Sequence, residues 1–442
     1  MNKYAILAIL CFLNFILIQS KFLDKSLLED DPEDDIIITI DKDDETALRD
    51  AIDIINEKGG MILLNTPVVY ITEHKVLKIT GTKKAGILGL RQPSGEFPSI
   101  YLDLHSIDGV MPSPKFFSGI ELYGGNKYLK NIIVERSIGS GVYIKGQNNT
   151  LDHVIARYNG YSGIQIDTEG DNNAIKNCYS YRNLCTLLGE GTGFLVSGAN
   201  NVLFENCVAF DNANYGFSSG LESNNPKNIS YSHCSSWNNG NIDVFSGKYD
   251  YDNGKALDKN IWIIEKIINH DKNFEKNYKN KNFTIPNIYI NNDRKLSEYL
   301  SDIEKKAKKI GFELARENNE AINHDAKRNI DYCVSFDHKS YGFAVNKTGL
   351  NYTLNLTNSI SFNNLMNFNL PDTHYDTWAN NWSWGSKNGD LTSIENTLKT
   401  PSNLEASLNL LYQIRDRIID SLFQNKFPDS ITFDIAIRGL KN

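Results

Sequence analysis

Three acids at alternate positions, Asp167-x-Glu169-x-Asp171, and the isolated Glu313 have the types and spacing that could do chemistry. Two carboxylates in different surroundings can divide general-acid and general-base duty, as in glycoside hydrolysis, provided burial raises the pKa of one. The same three acids offer hard oxygens to calcium, yet a dedicated loop brings about six to eight ligands and a three-acid turn falls short of that. Acids on turns are most often only solvated. His233 and His324 have no carboxylate at a spacing that would orient them, which leaves them as turn or surface residues. Tyr215, Tyr231, Trp237 and Tyr341 would present faces to sugar rings if they pointed outward, and would simply fill space if they did not. The six cysteines form no C-x-x-C or Cys/His metal pattern. Cys11 lies in the leader, and the four that recur in the repeat, Cys178, Cys207, Cys234 and Cys333, are expected to pack as buried thiols, with a Cys178 to Cys207 disulfide as the alternative.

Any such residues must be held by a repeat that runs from Asn131 to Leu370. It reads Leu151-Asp152-His153-Val154-Ile155-Ala156-Arg157-Tyr158-Asn159, then Ile175-Lys176-Asn177-Cys178-Tyr179-Ser180-Tyr181-Arg182-Asn183, then Phe204-Glu205-Asn206-Cys207-Val208-Ala209-Phe210-Asp211-Asn212. Further copies surround Cys234, Cys333 and Ser359, and each is followed by a Gly-containing turn and a second apolar strand such as Gly193-Phe194-Leu195-Val196. A period of roughly 21 to 29 residues is too short for a domain and suits one solenoid coil that buries its apolar face only by stacking. The expected fold is an all-β parallel β-helix. One inward column would hold Ile132, His153, Cys178, Cys207, Cys234, Cys333 and Ser359, and a turn column Asn159, Asn183, Asn212, Asn239 and Asn364, with His338 interrupting. Asparagine tolerates left-handed turns and passes hydrogen bonds from coil to coil through its amide.

The flanking segments complete the organisation. Residues 1–20, with Lys3 before an apolar run, have the pattern of a secretory signal peptide, so the expected location is extracellular. Acceptor sequons at Asn148, Asn228, Asn282, Asn346, Asn351, Asn355 and Asn381 fit a secreted glycoprotein. An acidic flexible lead-in is expected over 21–45 and a β-helix with an N-terminal cap helix, from Thr46 to Gly59, over 46–248. A polar, partly helical insertion over 249–329 interrupts the coils, with helical spacing from Leu296 to Lys308. Final coils over 330–386 precede a C-terminal extension, 387–442, whose stretch Asn403 to Leu422 carries a helical apolar stripe. The net charge of −8 over 442 residues argues against a nucleic-acid partner, no later stretch could span a bilayer, and the expectation is a monomer.

The coil phrases, the segment Gly240-Asn241-Ile242-Asp243-Val244-Phe245-Ser246-Gly247-Lys248 through Lys255, and Cys333-Val334-Ser335-Phe336 with Tyr341-Gly342-Phe343 resemble pectate lyases of polysaccharide lyase family 9. The resemblance covers roughly Asn131 to Asn388. It implies a right-handed, pectin-lyase-like β-helix acting on pectate or a related uronan by calcium-dependent β-elimination. In that chemistry an Asp cluster holds calcium, the ion acidifies the uronate C5 proton, and an unprotonated lysine removes it.

Carried over position by position, every charge is lost. Cys185 stands at a calcium-ligand position, Thr192 and Ser197 replace the Asp and Lys of the family's A-D-G-F-A-x-K, and Asn214, Tyr215 and Ser218 replace the three carboxylates of N-A-D-D-G-W-D. Glu313, in Ile310-Gly311-Phe312-Glu313, falls where the catalytic lysine belongs. The resemblance therefore implies a secreted pseudoenzyme that engages uronan through residues such as Tyr215, Ser197, Thr192 and Trp237, with no cofactor. The alternatives are an active, calcium-using lyase with a displaced site, perhaps built on Asp243, Asp250 and Asp252, or a structural or adhesive solenoid without a sugar site.

Overall fold

The computed structural model describes residues 36–73, 75–102, 118–137, 139–183, 191–219, 227–241, 301, 304–305, 307–315, 326–345, 352–371, 374–392, 397–428 and 433–440. Its strands form a parallel β-helix. A long sheet of 19 strands receives two short strands from most coils, and a second sheet of 10 strands receives one. Each strand pairs in parallel with its counterpart one coil away, as Leu151 does with Ile175 and Phe194 with Phe217.

Left-handed residues make the corners. Asn131, His153, Asn177, Asn206, His233, Tyr332, Asn358 and Asn380 all have φ between 50° and 55°, and they separate the two long-sheet strands of each coil. A second such column holds Arg136, Tyr158, Arg182, Asp211, Asn238, Asp337 and Asn363. Outside glycine this backbone costs about 1–3 kcal/mol per residue and persists only where its surroundings enforce it; asparagine bears it most readily. The first column corrects the expected inward one. His153 is not stacked on the cysteines; Val154 is the residue in register with Ile132, and His153 sits at the left-handed corner, its side chain 36% exposed and 2.7 Å from Asp152. Strand alternation does not run through a left-handed corner, so the sequence register slips by one there.

Below that corner Cys178, Cys207, Cys234 and Cys333 are buried free thiols, not a disulfide. The Sγ–H groups of Cys207 and Cys234 reach the carbonyls of Ile175 and Phe204 on the preceding coil, at 3.2 and 3.5 Å. Burial pushes the Cys207 and Cys333 thiols well above the ordinary range, which suppresses thiolate chemistry.

The asparagine column is a continuous ladder. The Asn159 amide donates to Asn183 at 3.1 Å, Asn183 to Asn212 at 2.8 Å and Asn212 to Asn239 at 2.9 Å. His338 takes the next rung: its Nδ1 accepts from the Asn239 backbone N–H at 3.1 Å, which leaves Nε2–H to donate to the Ser236 carbonyl at 3.2 Å. Acceptance at Nδ1 requires the neutral ring, and burial lowers its pKa from 6.5 to about 3. The unfolded chain therefore binds a proton that the folded chain refuses, so stability is lost as pH falls from about 6.5 towards 3. His338→Asn should fit the ladder and flatten that part of the acid limb, measured as the difference between variant and parent in urea midpoint against pH. Asp211, whose carboxyl burial raises to about 6, slopes the opposite way in both proteins and cancels in the difference. An unchanged acid limb in the variant would remove His338 as its source.

The inward column also decides one sequon, because Asn381 stacks on Ser359 at its end. Asn381 is wholly buried, its amide donating to the Leu356 carbonyl at 2.9 Å and accepting from the Ser359 N–H at 3.0 Å, whereas Asn148 is exposed. After secretion from a eukaryotic host, peptide mass mapping should find glycan at Asn148 and none at Asn381 in folded protein. A glycan on Asn381 would contradict its burial in that column.

The core between the sheets is an aromatic stack. Phe194, Phe217, Phe312, Phe343 and Phe368 follow one another at 4.8, 4.7, 4.8 and 5.4 Å between ring centroids. Tyr231 belongs to it, stacked 5.3 Å from Phe204 and 1% exposed.

The expected boundaries fail in two places, the lead-in and the insertion. The acidic lead-in contains the first coil strand, because Ile37–Ile40 pairs in parallel with Met61 to Leu64. The cap helix is Glu45–Lys58, started by Asp44, which accepts from the Ala47 N–H at 2.9 Å, and it buries Leu48, Ala51, Ile52 and Ile55 over the open coil. The expected insertion, 249–329, also contains coil strands: Ile310–Ala315 pairs with Tyr215–Ser219, and Ala326–Asp331 with Ile229–Ser232. Ile310–Ala315 lacks the Cys and Asn phrase but keeps the Gly-Phe of the second sheet; Ala326–Asp331 joins the long sheet ahead of Cys333. The stretch Leu296 to Lys308 lies largely outside the described residues. No helix among the described residues is long and apolar enough to cross a membrane.

The C-terminal helix, Leu404–Phe423, begins at Asn403 and lies along the side of the solenoid. It buries Leu411, Ile414, Ile418, Ile419 and Leu422 while Leu404 stays 41% exposed. Beneath it Tyr181, Phe210, Trp237, Phe336, Phe362 and Trp384 form an aromatic file, one per coil, stacked 4.7 to 5.6 Å apart. Tyr412 and the following Phe433 close over it.

Candidate functional site

The resemblance-derived positions separate into two places. Thr192 and Tyr215 occupy equivalent register positions on adjacent strands of the second sheet, each two residues before a stacked phenylalanine. Ser218 is in register with Glu313, and Ser197 follows Val196 on the same sheet, its N–H donating to the Ile166 carbonyl at 2.8 Å. Asn214 precedes Tyr215, accepts from the Lys308 N–H and donates its own N–H to the Gly191 carbonyl. Trp237 is elsewhere. It is fully buried in the aromatic file of the long sheet, 6.0 Å from Phe433, and no sugar can reach it there. Cys185 lies outside the described residues, as do Asp243, Asp250, Asp252 and His324.

The second-sheet group is closed. Thr192, Ser218 and Glu313 are 0% exposed, Tyr215 1%, Asn214 3% and Ser197 5%. Tyr215 packs with Ile310 and Ala344, against the half-buried Tyr341, in a cluster separate from the main core. Ser218 Oγ–H donates to Glu313 Oε2 at 2.5 Å, so the one carboxylate of the group is engaged by a coil-to-coil hydrogen bond. Hydroxyls, one amide and one acid do not fit calcium, which needs several carboxylate or carbonyl oxygens converging on one point. Among the described residues no three His, Cys, Asp or Glu converge to hold a metal ion.

The acids of the turn are also divided among separate partners. The Tyr143 hydroxyl and the Thr168 N–H both donate to Asp167. Glu169 pairs with Lys145 at 3.5 Å, and Asp171 accepts from the Asn200 N–H at 2.7 Å. They form neither a calcium loop nor a pair with Glu313. His233, at its left-handed corner, lies flat on Tyr332 at 5.0 Å, as expected of a turn residue.

Two features escaped the sequence. One is a buried charge network under the C-terminal helix. Arg157 makes a two-pronged pair with Glu135 at 3.0 and 3.2 Å and donates to the Tyr181 hydroxyl, the Leu422 carbonyl and Asn425. Beside it Arg182 and Asp211, both fully buried, lie 3.6 Å apart, and the Arg182 guanidinium lies over the Phe423 ring. The other is a half-open strip on the first strands of the second sheet, around Tyr123 and Tyr143. Charged residues at the left-handed corner signalled its Arg182–Asp211 half; the Glu135–Arg157 half and the second feature carry no spacing that marks them.

Comparison with known proteins agrees with the β-helix fold. The family described as Pel9A-like, right handed beta helix region, matches residues 39–255. Pectate lyase L of Dickeya chrysanthemi is 28% identical over 103 residues, 22% of this chain and 24% of that protein. Pectate lyase L of Paenibacillus polymyxa is 32% identical over 112 residues, 22% of this chain and 25% of that protein. The chain thus spans about a quarter of the length of these curated relatives. Among solved structures, pectate lyase Pel9A superposes with a TM-score of 0.51 over 86% of this chain and 82% of its own at 16% identity, a likeness of fold.

Proposed function

We propose that this pectate-lyase-like β-helix is a secreted polysaccharide-binding protein that engages pectate or a related uronan and has lost calcium-dependent β-elimination. The observation that carries the loss is that Thr192, Ser197, Asn214, Tyr215 and Ser218 are all buried and uncharged, and that the one carboxylate of the group, Glu313, is buried and bonded by Ser218. β-Elimination from a uronate needs an ion to neutralise its carboxylate and a base to take the C5 proton. A hydroxyl cannot replace the first, and a carboxylate already bonded by Ser218 is a weak substitute for a lysine amine. The relatives named pectate lyase support the polymer class, and the leader-like residues 1–20 support secretion.

Retention on immobilised polygalacturonate tests the binding half of this reading. The secreted protein should be held both with calcium and with a chelator, because no ion bridges it to the polymer. Passage through the column under both conditions would remove the polysaccharide and leave a structural solenoid. Retention only with calcium would place an ion where the described residues offer none.

A further inference from the structure

The second sheet is closed around Glu313 but half-open over its first strands. There Tyr123 and Tyr143 stand on adjacent strands, ring centroids 6.5 Å apart and tilted by 55°. Lys78 lies 5.1 Å from the centre of the Tyr123 ring and pairs with Glu121 at 3.2 Å. Lys145, in register with Tyr123, pairs with Glu169 at 3.5 Å. We propose that Tyr123, Tyr143, Lys78 and Lys145 form a subsite for an acidic, uronate-type saccharide, an assignment that rests on the polysaccharide reading above.

Exposure and charge give the reasons. Tyrosine faces cover the C–H faces of a sugar ring, and strands about 4.8 Å apart let a saccharide laid along the solenoid meet one ring per coil. The Lys78 and Lys145 side chains are 52% and 33% exposed, so both ammonium groups are accessible to a carboxylate. The two ion pairs differ. The Glu121 side chain is 5% exposed and fixed on Lys78, whereas Glu169 is 67% exposed. An exposed pair of that kind is worth little, so a sugar carboxylate can take the place of Glu169 on Lys145 at small cost. Asp167, held by Thr168, fixes the Tyr143 hydroxyl and hence the tilt of the ring; it is a positioning residue. The strip carries three acids against two lysines, so Glu169 competes with the ligand.

The test is titration calorimetry of the full chain with a galacturonate trimer, beside a neutral galactose trimer of equal length. Tyr143→Ala should weaken binding of the acidic trimer about tenfold and Lys145→Gln about fivefold. Glu169→Gln should tighten it about threefold, because the competing carboxylate is gone. A merely structural role for Lys145 would not produce opposite shifts in the two members of one ion pair. If Tyr143→Ala fails to fold, the two surface variants still decide. Parent protein that binds the acidic trimer, with Lys145→Gln and Glu169→Gln indistinguishable from it, would overturn this subsite and leave the polysaccharide reading intact. Equal affinity for the neutral trimer would overturn the acidic assignment. No binding of either trimer by the parent, together with passage through the polygalacturonate column, would sink both readings.

Discussion

Glu135→Ala should destabilise the protein by about 3–5 kcal/mol and free its C-terminal helix, because it strands the Arg157 guanidinium in a site that is 4% exposed. Arg157 donates two bonds to Glu135, and its remaining bonds reach the Tyr181 hydroxyl, the Leu422 carbonyl and Asn425. Without the carboxylate the cation must either stay buried without its counter-charge or pull away with the helix end it binds. Protease cleavage within Leu404–Phe423 should then precede cleavage of the coils, and the urea midpoint should fall. Replacing both partners by apolar residues, Glu135→Leu with Arg157→Met, should recover most of the loss, since buried pairs are seldom worth more than good packing. A single variant with a loss below about 1 kcal/mol would show the pair to be solvated and the helix weakly docked.

Trp237→Ala should cost about 3–5 kcal/mol and leave polysaccharide retention per folded molecule unchanged. The indole is fully buried between Phe210 at 4.8 Å and Phe336 at 5.6 Å, with Phe433 over it. Its removal opens a cavity that neighbouring coils cannot close, because each ring of the file is fixed by the coil above and below. Retention measured on the natively folded fraction separates this structural role from a sugar-stacking one. A folded variant with intact stability and lost retention would return Trp237 to the binding surface.

The solenoid was legible because coil stacking imposes one residue type per level. Cysteine, asparagine and serine recur where inward space is small and a backbone group of the next coil needs a partner, and those are the positions where the ladder forms. Legibility failed where a corner broke the alternation, as at His153, and where a strand kept only its Gly-Phe, as at Ile310–Ala315. It failed also at Trp237, because one aromatic residue per coil has the same appearance whether a sugar or a helix covers the file. The helix stripe from Leu404 was readable; its docking on aromatic rings was not, since that depends on residues as far away in sequence as Tyr181. The substitutions at Thr192, Ser197, Asn214, Tyr215 and Ser218 needed only the sequence, but their closure and the bond from Ser218 to Glu313 needed coordinates.

The central claim is that this sheet face carries no elimination chemistry. Its most direct test is absorbance near 235 nm, where the unsaturated uronate product appears, with purified protein, polygalacturonate and calcium, and with a chelator control. The account predicts a flat trace with and without chelator. A calcium-dependent rise abolished by the chelator would contradict it and restore a lyase whose ion and base lie apart from Thr192, Ser197, Asn214, Tyr215, Ser218 and Glu313.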